Sequence, residues 1–368
     1  MAVTSSKNSI QRVVWVNSKI LTSTDKDKTK SFDYSVVEIF AGAGGMALGL
    51  ELAGFEAKAV LEIDKWACET LRHNRPNWNV IEDDINNIVE DGIKRYCNCK
   101  NIDLLSGGYP CQSFSYAGNR LGIEDTRGTL FYSYAKVLEE LKPKMFLAEN
   151  VKGLVTHDNG KTLDTMLNVF KNCGYKIYYK VLNALHYGVA QKRERIFIVG
   201  VRKDIYTAIN EDYQFPQPYN YTLTLKDILK DVPKSECAKY NLKKREIFKY
   251  IKPGGCWRDL PPDIAKDYMK STYYMSGGRT GIARRLSWNE PALTVLCSPS
   301  QKQTERCHPD EIRPFSIREN ARIQSFPDEW EFKGSIMQQY KQIGNAVPVN
   351  LAKEVGLSIK RYLDKQRG

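Results

Sequence analysis

At 368 residues the chain can bury a full core and is long enough for about two domains, at roughly 100–200 residues each. Hydrophobic residues at 42% and charged residues at 27% exclude wholesale disorder; no run approaches the ~18 apolar residues of a spanning helix, and Met1 to Ser9 lacks the apolar core of a secretion signal. A cytoplasmic protein without membrane association is expected. The formal net charge of +12 is unevenly spread: residues 203–306 carry 18 basic and 12 acidic side chains, and residues 1–33 carry 6 and 3. Clustered positive charge is the electrostatic footprint of a polyanion binder.

Residues 1–33 are rich in Ser, Thr, Lys and Asp and read as a flexible arm, with one apolar island at Val13-Val14-Trp15-Val16 that could form a short strand. From Tyr34 apolar runs alternate with amphipathic stretches: Val36 to Phe40, Met46 to Ala53, Ala57 to Ile63, Asp64 to His73. Further strand candidates follow at Ile102–Ser106, Met145–Ala148, Ile177–Val181 and Ile196–Val201. Between them Leu163, Met166, Leu167 and Phe170 recur at helical spacing, with Gly174 as a stop signal. This punctuation predicts an α/β fold with a buried parallel sheet and helices on both faces. After Arg202 the alternation fades into Pro-, Tyr- and Lys-rich sequence, and a second, irregular domain is expected. Helices return at Ile317–Ser325 and from Val349 to about Tyr362, the last expected to pack on the first domain.

Gly42-Ala43-Gly44-Gly45-Met46-Ala47 fits G-x-G-x-x-G/A directly after a strand, and Glu62 lies 20 residues beyond Gly42 at the next strand tip. Such a turn lets backbone approach a nucleoside, and the carboxylate can accept from ribose hydroxyls. The motif serves a dinucleotide or S-adenosylmethionine equally. At the third strand tip, Asp83-Asp84-Ile85 offers a carboxylate for an adenine amino group and an apolar cover for the ring; the other reading of Asp84 is a helix N-cap.

Pro110-Cys111 follows the strand Ile102–Ser106 and precedes a glycine-dotted stretch, Gln112 to Gly128, that could close over a substrate. Glu149 ends the apolar strand Met145–Ala148, where partial desolvation should raise its pKa. Gln191-Lys192-Arg193-Glu194-Arg195 opens another strand, and one of its two arginines is expected to be structural. A thiol, an acid and paired guanidinium groups on three segments suit attack on a nitrogen heterocycle. Nine scattered cysteines with no C-x-x-C pair argue for reduced thiols and against a bound metal.

Taken jointly, the segments Phe40-Ala41-Gly42-Ala43-Gly44-Gly45, Gly108-Tyr109-Pro110-Cys111-Gln112, Glu149-Asn150-Val151, Gln191 to Arg195 and Gln342-Ile343-Gly344-Asn345-Ala346-Val347-Pro348 closely resemble the cytosine-5 DNA methyltransferase family, especially the compact bacterial enzymes of restriction-modification systems. The resemblance implies a Rossmann-like S-adenosylmethionine-dependent methyltransferase domain with a smaller, irregular target-recognition domain. The boundaries would be an arm at 1–33, a catalytic domain at 34–202, recognition at 203–306, and a segment at 307–368 completing the catalytic domain.

In chemical terms the resemblance implies that Cys111 adds to cytosine carbon 6 while Glu149 protonates or hydrogen-bonds ring N3. Arg195 would hold O2, Arg193 and Gln191 would shape the pocket, and Asn150 would anchor Pro110. Phe40, Ala41, Gly42, Gly44, Gly45, Glu62, Ile63, Asp84, Ile85, Leu130, Asn345 and Ala346 would surround S-adenosylmethionine, with Ile63 departing from the aromatic often found there. Double-stranded DNA would be met by Gln112, Ser115 and Arg127 in the loop and by Arg279, Arg284, Arg285, Thr294 and Gln301 in the recognition segment. A monomer is expected, associated in function with a cognate restriction endonuclease. Three rival readings are a tRNA cytosine-5 methyltransferase, a nicotinamide dehydrogenase that would leave Cys111, Glu149 and Arg195 idle, and a non-catalytic DNA-binding relative.

Overall fold

The central apolar runs of the first half become strands with both faces covered, while the edge strands stay partly exposed. The computed structural model describes residues 32–97, 101–110, 129–276, 278–299, 301 and 304–367; the Val13–Val16 strand candidate and the arm, save its last two residues, lie outside these. Residues 33–368 form one compact unit. Its strands are β1 (Tyr34–Ile39), β2 (Phe55–Glu62), β3 (Val80–Glu82), β4 (Leu104–Gly107), β5 (Met145–Val151), β6 (Tyr175–Asn183), β7 (Gln191–Lys192), β8 (Glu194–Arg202) and β9 (Ala292–Leu293). Seven of them build one sheet in the order β3-β2-β1-β4-β5-β8-β6, and β7 pairs with β9.

The period of two divides each strand between two cores. Val37 and Ile39 of β1, with Phe146 and Ala148 of β5, face a core closed by the helices Ile85–Asp91, Leu130–Leu141 and Lys161–Asn172. Val36, Met145 and Leu147 face the opposite core, closed by the helices Gly45–Leu52, Lys203–Ile209 and Val349–Asp364. The last helix buries Leu351, Val355, Ile359 and Leu363 there, each contributing roughly 1.5–3 kcal/mol. It lies close to Gly45–Leu52: a Cβ on Gly49 would sit 2.5 Å from that of Ala352. A separate core within residues 240–307 gathers Tyr240, Phe248, Tyr268 and Cys307.

The sheet departs from the expected parallel pattern at one strand. β8 runs antiparallel to both β5 and β6. Only residues 184–193 join β6 to β8, fewer than the dozen or more that a parallel crossover needs, so the chain turns straight back.

One carboxyl side chain sits inside this apolar frame. Glu38 in β1 is 1% exposed, accepts from the Ala47 backbone N–H at 3.1 Å and from the Ser106 hydroxyl at 3.0 Å. Burial, aided by the nearby Glu62 charge, pushes its carboxyl from 4.5 up to about 8. The unfolded chain therefore releases this proton earlier than the folded one, so stability present below about pH 4.5 is lost as pH rises through about 8. Glu38→Gln should remove that dependence: thermal melts of the variant should fall less between pH 5 and 8 than those of the wild type, by an amount on the order of a few kcal/mol at the upper end. Parallel melting curves for the two proteins would contradict the assignment.

Candidate active site

Strand tips and the returning C-terminal segment together line a cleft of ≈ 960 Å³. At the tip of β1 the chain turns sharply: Phe40 has φ 59°, Gly42 55° and Gly44 85°, all left-handed. A left-handed phenylalanine is costly, so the surrounding structure must impose it. Gly45 admits no side chain, since its Cβ would fall 2.3 Å from the Val347 carbonyl oxygen.

Glu62 pins this turn. One carboxylate oxygen accepts from Gly42 N–H at 2.7 Å, the other from Ile63 and Asp64 N–H at 3.0 and 2.9 Å. Three of about four acceptor positions are thus used, leaving capacity for about one further donor. Asp84 caps the helix Ile85–Asp91 through Asn86 N–H at 2.9 Å, the structural role weighed for it above. Ile63 is 64% exposed beside the cleft, whereas Ile85 is 6% exposed. Phe40, Ala41, Leu130, Asn345 and Ala346 join the lining. Asn345 accepts from the Cys297 thiol at 2.8 Å.

Opposite this wall stands an acid with its guanidinium. Glu149, near the end of β5, meets Arg195 Nε at 3.0 Å, the two side chains being 12% and 15% exposed. Burial raises the Glu149 carboxyl above its ordinary 4.5, while Arg195 and then Arg193 act to lower it. Glu194 points elsewhere and pairs with Lys152 at 3.0 Å, so it does not compete for Arg195. Asn150 donates to the Tyr109 carbonyl at 2.9 Å, and Tyr109 is wedged edge-on between Phe131 and Tyr134, with centroids 5.6 and 5.5 Å away. The chain entering Pro110 is therefore fixed at the cleft wall. Cys111, Gln112, Ser115 and Arg127 lie outside the described residues.

Of the two arginines, Arg193 is the internal one. It is 2% exposed and donates to the carbonyls of Val295 at 3.2 Å and Gly344 at 3.0 Å. Gln191 is fully buried and binds Gln324 and the Val295 N–H. In the recognition segment Thr294 lines the cleft while donating to the Lys192 carbonyl at 2.9 Å. Arg279 and Gln301 are exposed. Arg284 and Arg285 are committed inside the protein: Arg284 bonds Glu290 at 2.8 Å and the Gly254 carbonyl, and Arg285 holds the carbonyls of Pro309, Ile251 and Asp310. Arg284 thus spends donors on a carboxylate and a carbonyl, and Arg285 on three carbonyls, while both side chains stay partly exposed. Sequence reasoning passed over Glu38, Gln324 and Cys297, all polar groups placed at the cleft or its supports; a lone acid inside the apolar run of β1 was the available signal for Glu38.

The sheet with its single reversed strand, the glycine turn and the acid–guanidinium pair define a Rossmann-like S-adenosylmethionine-dependent methyltransferase fold. It is shared with a prophage-encoded protein of Escherichia coli described as a DNA modification methyltransferase (TM-score 0.66, 24% identity, 90% of this chain and 99% of that one). An Entamoeba histolytica methyltransferase shares it also (TM-score 0.60, 17% identity, 90% and 98%). The family model for C-5 cytosine-specific DNA methylase matches residues 34–361. Type II methyltransferase M.Sau96I of Staphylococcus aureus is 60% identical over 91% of this chain and 78% of its own length, and M.Eco47II of Escherichia coli is 54% identical over 93% and 82%. The chain belongs to the C-5 cytosine-specific DNA methylase family and is a DNA cytosine-5 methyltransferase.

Gly108 tests the acid's position. A Cβ there would lie 2.8 Å from Glu149 Oε2, which Arg195 keeps from swinging away. Gly108→Ala should lower kcat by at least about tenfold, the cost of ~1.4 kcal/mol in the barrier, with little change in Tm. Unchanged kcat in steady-state methylation assays would show that the carboxyl position does not matter.

Proposed function

We propose that the chain methylates carbon 5 of a cytosine extruded from duplex DNA, using S-adenosylmethionine as donor and Cys111 as covalent nucleophile. The observation that carries this reading is the largely buried Glu149–Arg195 pair set beside the fixed Tyr109-Pro110 segment, which Cys111 follows in sequence. Extruding the base exposes the target carbon at a cost of a few kcal/mol.

The Cys111 thiolate forms a bond to carbon 6 as ring N3 takes a proton from Glu149, whose raised pKa keeps more of it neutral at a given pH. Arg195 donates to O2, where negative charge gathers. S-adenosylmethionine, when bound, supplies a sulfonium methyl for carbon 5. Loss of the carbon 5 proton to a base then restores the double bond, expels the Cys111 thiolate and lets N3 return its proton to Glu149.

The cleft suits such a donor. The left-handed turn from Phe40 to Gly44 brings backbone close, Glu62 retains acceptor capacity for a ribose hydroxyl, and exposed Ile63 offers an apolar face for the adenine. Asp84, Ile85, Leu130, Asn345 and Ala346 complete the proposed contacts. Residues 203–306 carry the recognition role, with 34–202 and 307–368 forming the catalytic domain, onto whose sheet the helix Lys203–Ile209 still packs. Arg279, Arg284, Arg285, Thr294 and Gln301 are its proposed DNA contacts, joined by Gln112, Ser115 and Arg127.

Relatives at 60% and 54% identity carry the name Type II methyltransferase, which supports a protective role beside a cognate endonuclease that need not be bound. No helix among the described residues is long and apolar enough to cross a membrane, and a cytoplasmic monomer is the state proposed.

Cys111→Ser should abolish turnover while leaving duplex and cofactor affinity within about threefold, RT ln 3 being well under 1 kcal/mol; retained methylation in a tritium-transfer assay would move the nucleophile elsewhere. Because phosphate contacts release counterions, duplex affinity should fall at least about tenfold between 50 and 200 mM salt. A flat response would remove residues 203–306 as a polyanion surface.

A further inference from the structure

Two glutamines with 0% exposure, Gln191 and Gln324, meet beneath the cleft where four segments converge. Gln191 accepts from the Val295 N–H at 2.9 Å and donates to Gln324 Oε1 at 2.7 Å. Gln324 in turn donates to the Ile343 and Ala346 carbonyls at 2.7 and 3.0 Å. Arg193 grips the same two segments from the other side, through the carbonyls of Val295 and Gly344.

The segments also touch backbone to backbone. A Cβ on Gly344 would fall 2.4 Å from the Leu296 carbonyl carbon and the Cys297 nitrogen, and one on Gly45 would fall 2.3 Å from the Val347 oxygen. The turn at 343–347 is thus clasped between the strand that presents Thr294 and the glycine turn of the cofactor wall. No layer in this stack has room to shift alone; Arg193 links Val295 to Gly344, and the glutamine pair is the polar link that reaches Ile343 and Ala346. In such a dry setting each amide is heavily constrained, since a lost partner leaves a buried carbonyl unpaired.

We infer that Gln324 is a positioning residue that couples seating of the duplex against the Thr294–Cys297 segment to the geometry of the cofactor wall at Ile343–Ala346. This rests on the reading of the cleft as an S-adenosylmethionine site facing DNA. Because binding linkage is reciprocal, duplex should tighten cofactor binding by the same factor that cofactor tightens duplex binding, and Gln324 should carry that factor. It touches neither ligand, so its removal should leave each separate affinity nearly intact.

The test is the affinity of the purified full chain for S-adenosylhomocysteine, measured by calorimetry with and without a duplex fragment that the wild type methylates. The wild type is expected to show a ratio of about tenfold, within the usual span of coupling factors. In Gln324→Met, which deletes donor and acceptor, and in Gln324→Glu, which keeps the acceptor toward Gln191 but loses the donors toward Ile343 and Ala346, the ratio should fall to within about twofold of unity. S-adenosylhomocysteine affinity without DNA should move by less than about threefold. Thermal melts report whether each variant is folded; if Gln324→Met is not, Gln324→Glu gives the same readout through the same link. Variants that keep the wild-type ratio, or a wild type that binds both ligands without coupling, overturn the inference. A wild type that does not bind S-adenosylhomocysteine at all overturns the cofactor reading instead.

Discussion

The site depends on one strand running backwards. Residues 149 and 195 are 46 positions apart, and they meet only because β8 is antiparallel to β5, which lays the start of one strand beside the end of the other. In the register, Val151 faces Arg195 and Glu149 faces Phe197, so acid and guanidinium are diagonal neighbours on one face. Had β8 followed the parallel pattern of its neighbours, Arg195 would sit at the far end of the sheet and Glu149 would be a buried acid without a cation. The short 184–193 connection is what enforces the reversal.

That pairing also sets the electrostatics. Burial alone would favour a neutral Glu149, and Arg195 alone would favour an ionised one; the carboxyl is raised because burial outweighs the guanidinium. A carboxyl poised in this way can give a proton to a ring nitrogen and take it back. Arg193 adds a weaker pull on the carboxyl and, through the two carbonyls it binds, ties the reacting wall to the C-terminal segment. The helix Val349–Asp364 then fastens that segment to the sheet through Leu351, Val355 and Ile359.

Much of this was readable in residue order because chemistry in α/β proteins sits at strand tips, and each tip announces itself where an apolar run meets a polar residue. Glu62, Glu149 and the glycine turn at 42–45 were found that way. Strand direction was not readable, since an apolar run looks the same in either sense and only the length of the 184–193 connection hinted at it. The partners of Arg285, carbonyls at 251, 309 and 310, were not readable either, since they lie tens of residues away and carry no side-chain signature. Gln324 was missed for the same reason: its meaning lies in the four segments around it. Asp84 showed the limit of a single residue's testimony, because a capping carboxylate and a ligand-binding one have the same sequence appearance.

The central claim is that the Glu149 carboxyl is held in its neutral form to higher pH than an ordinary glutamate, against the pull of Arg195. A direct measurement is the carboxyl carbon NMR titration of Glu149, assigned by comparison with Glu149→Gln, in the wild type and in Arg195→Leu. The account predicts a wild-type midpoint above 4.5 and a further rise when the guanidinium is removed. A wild-type midpoint at or below 4.5, or a fall in the variant, would contradict it.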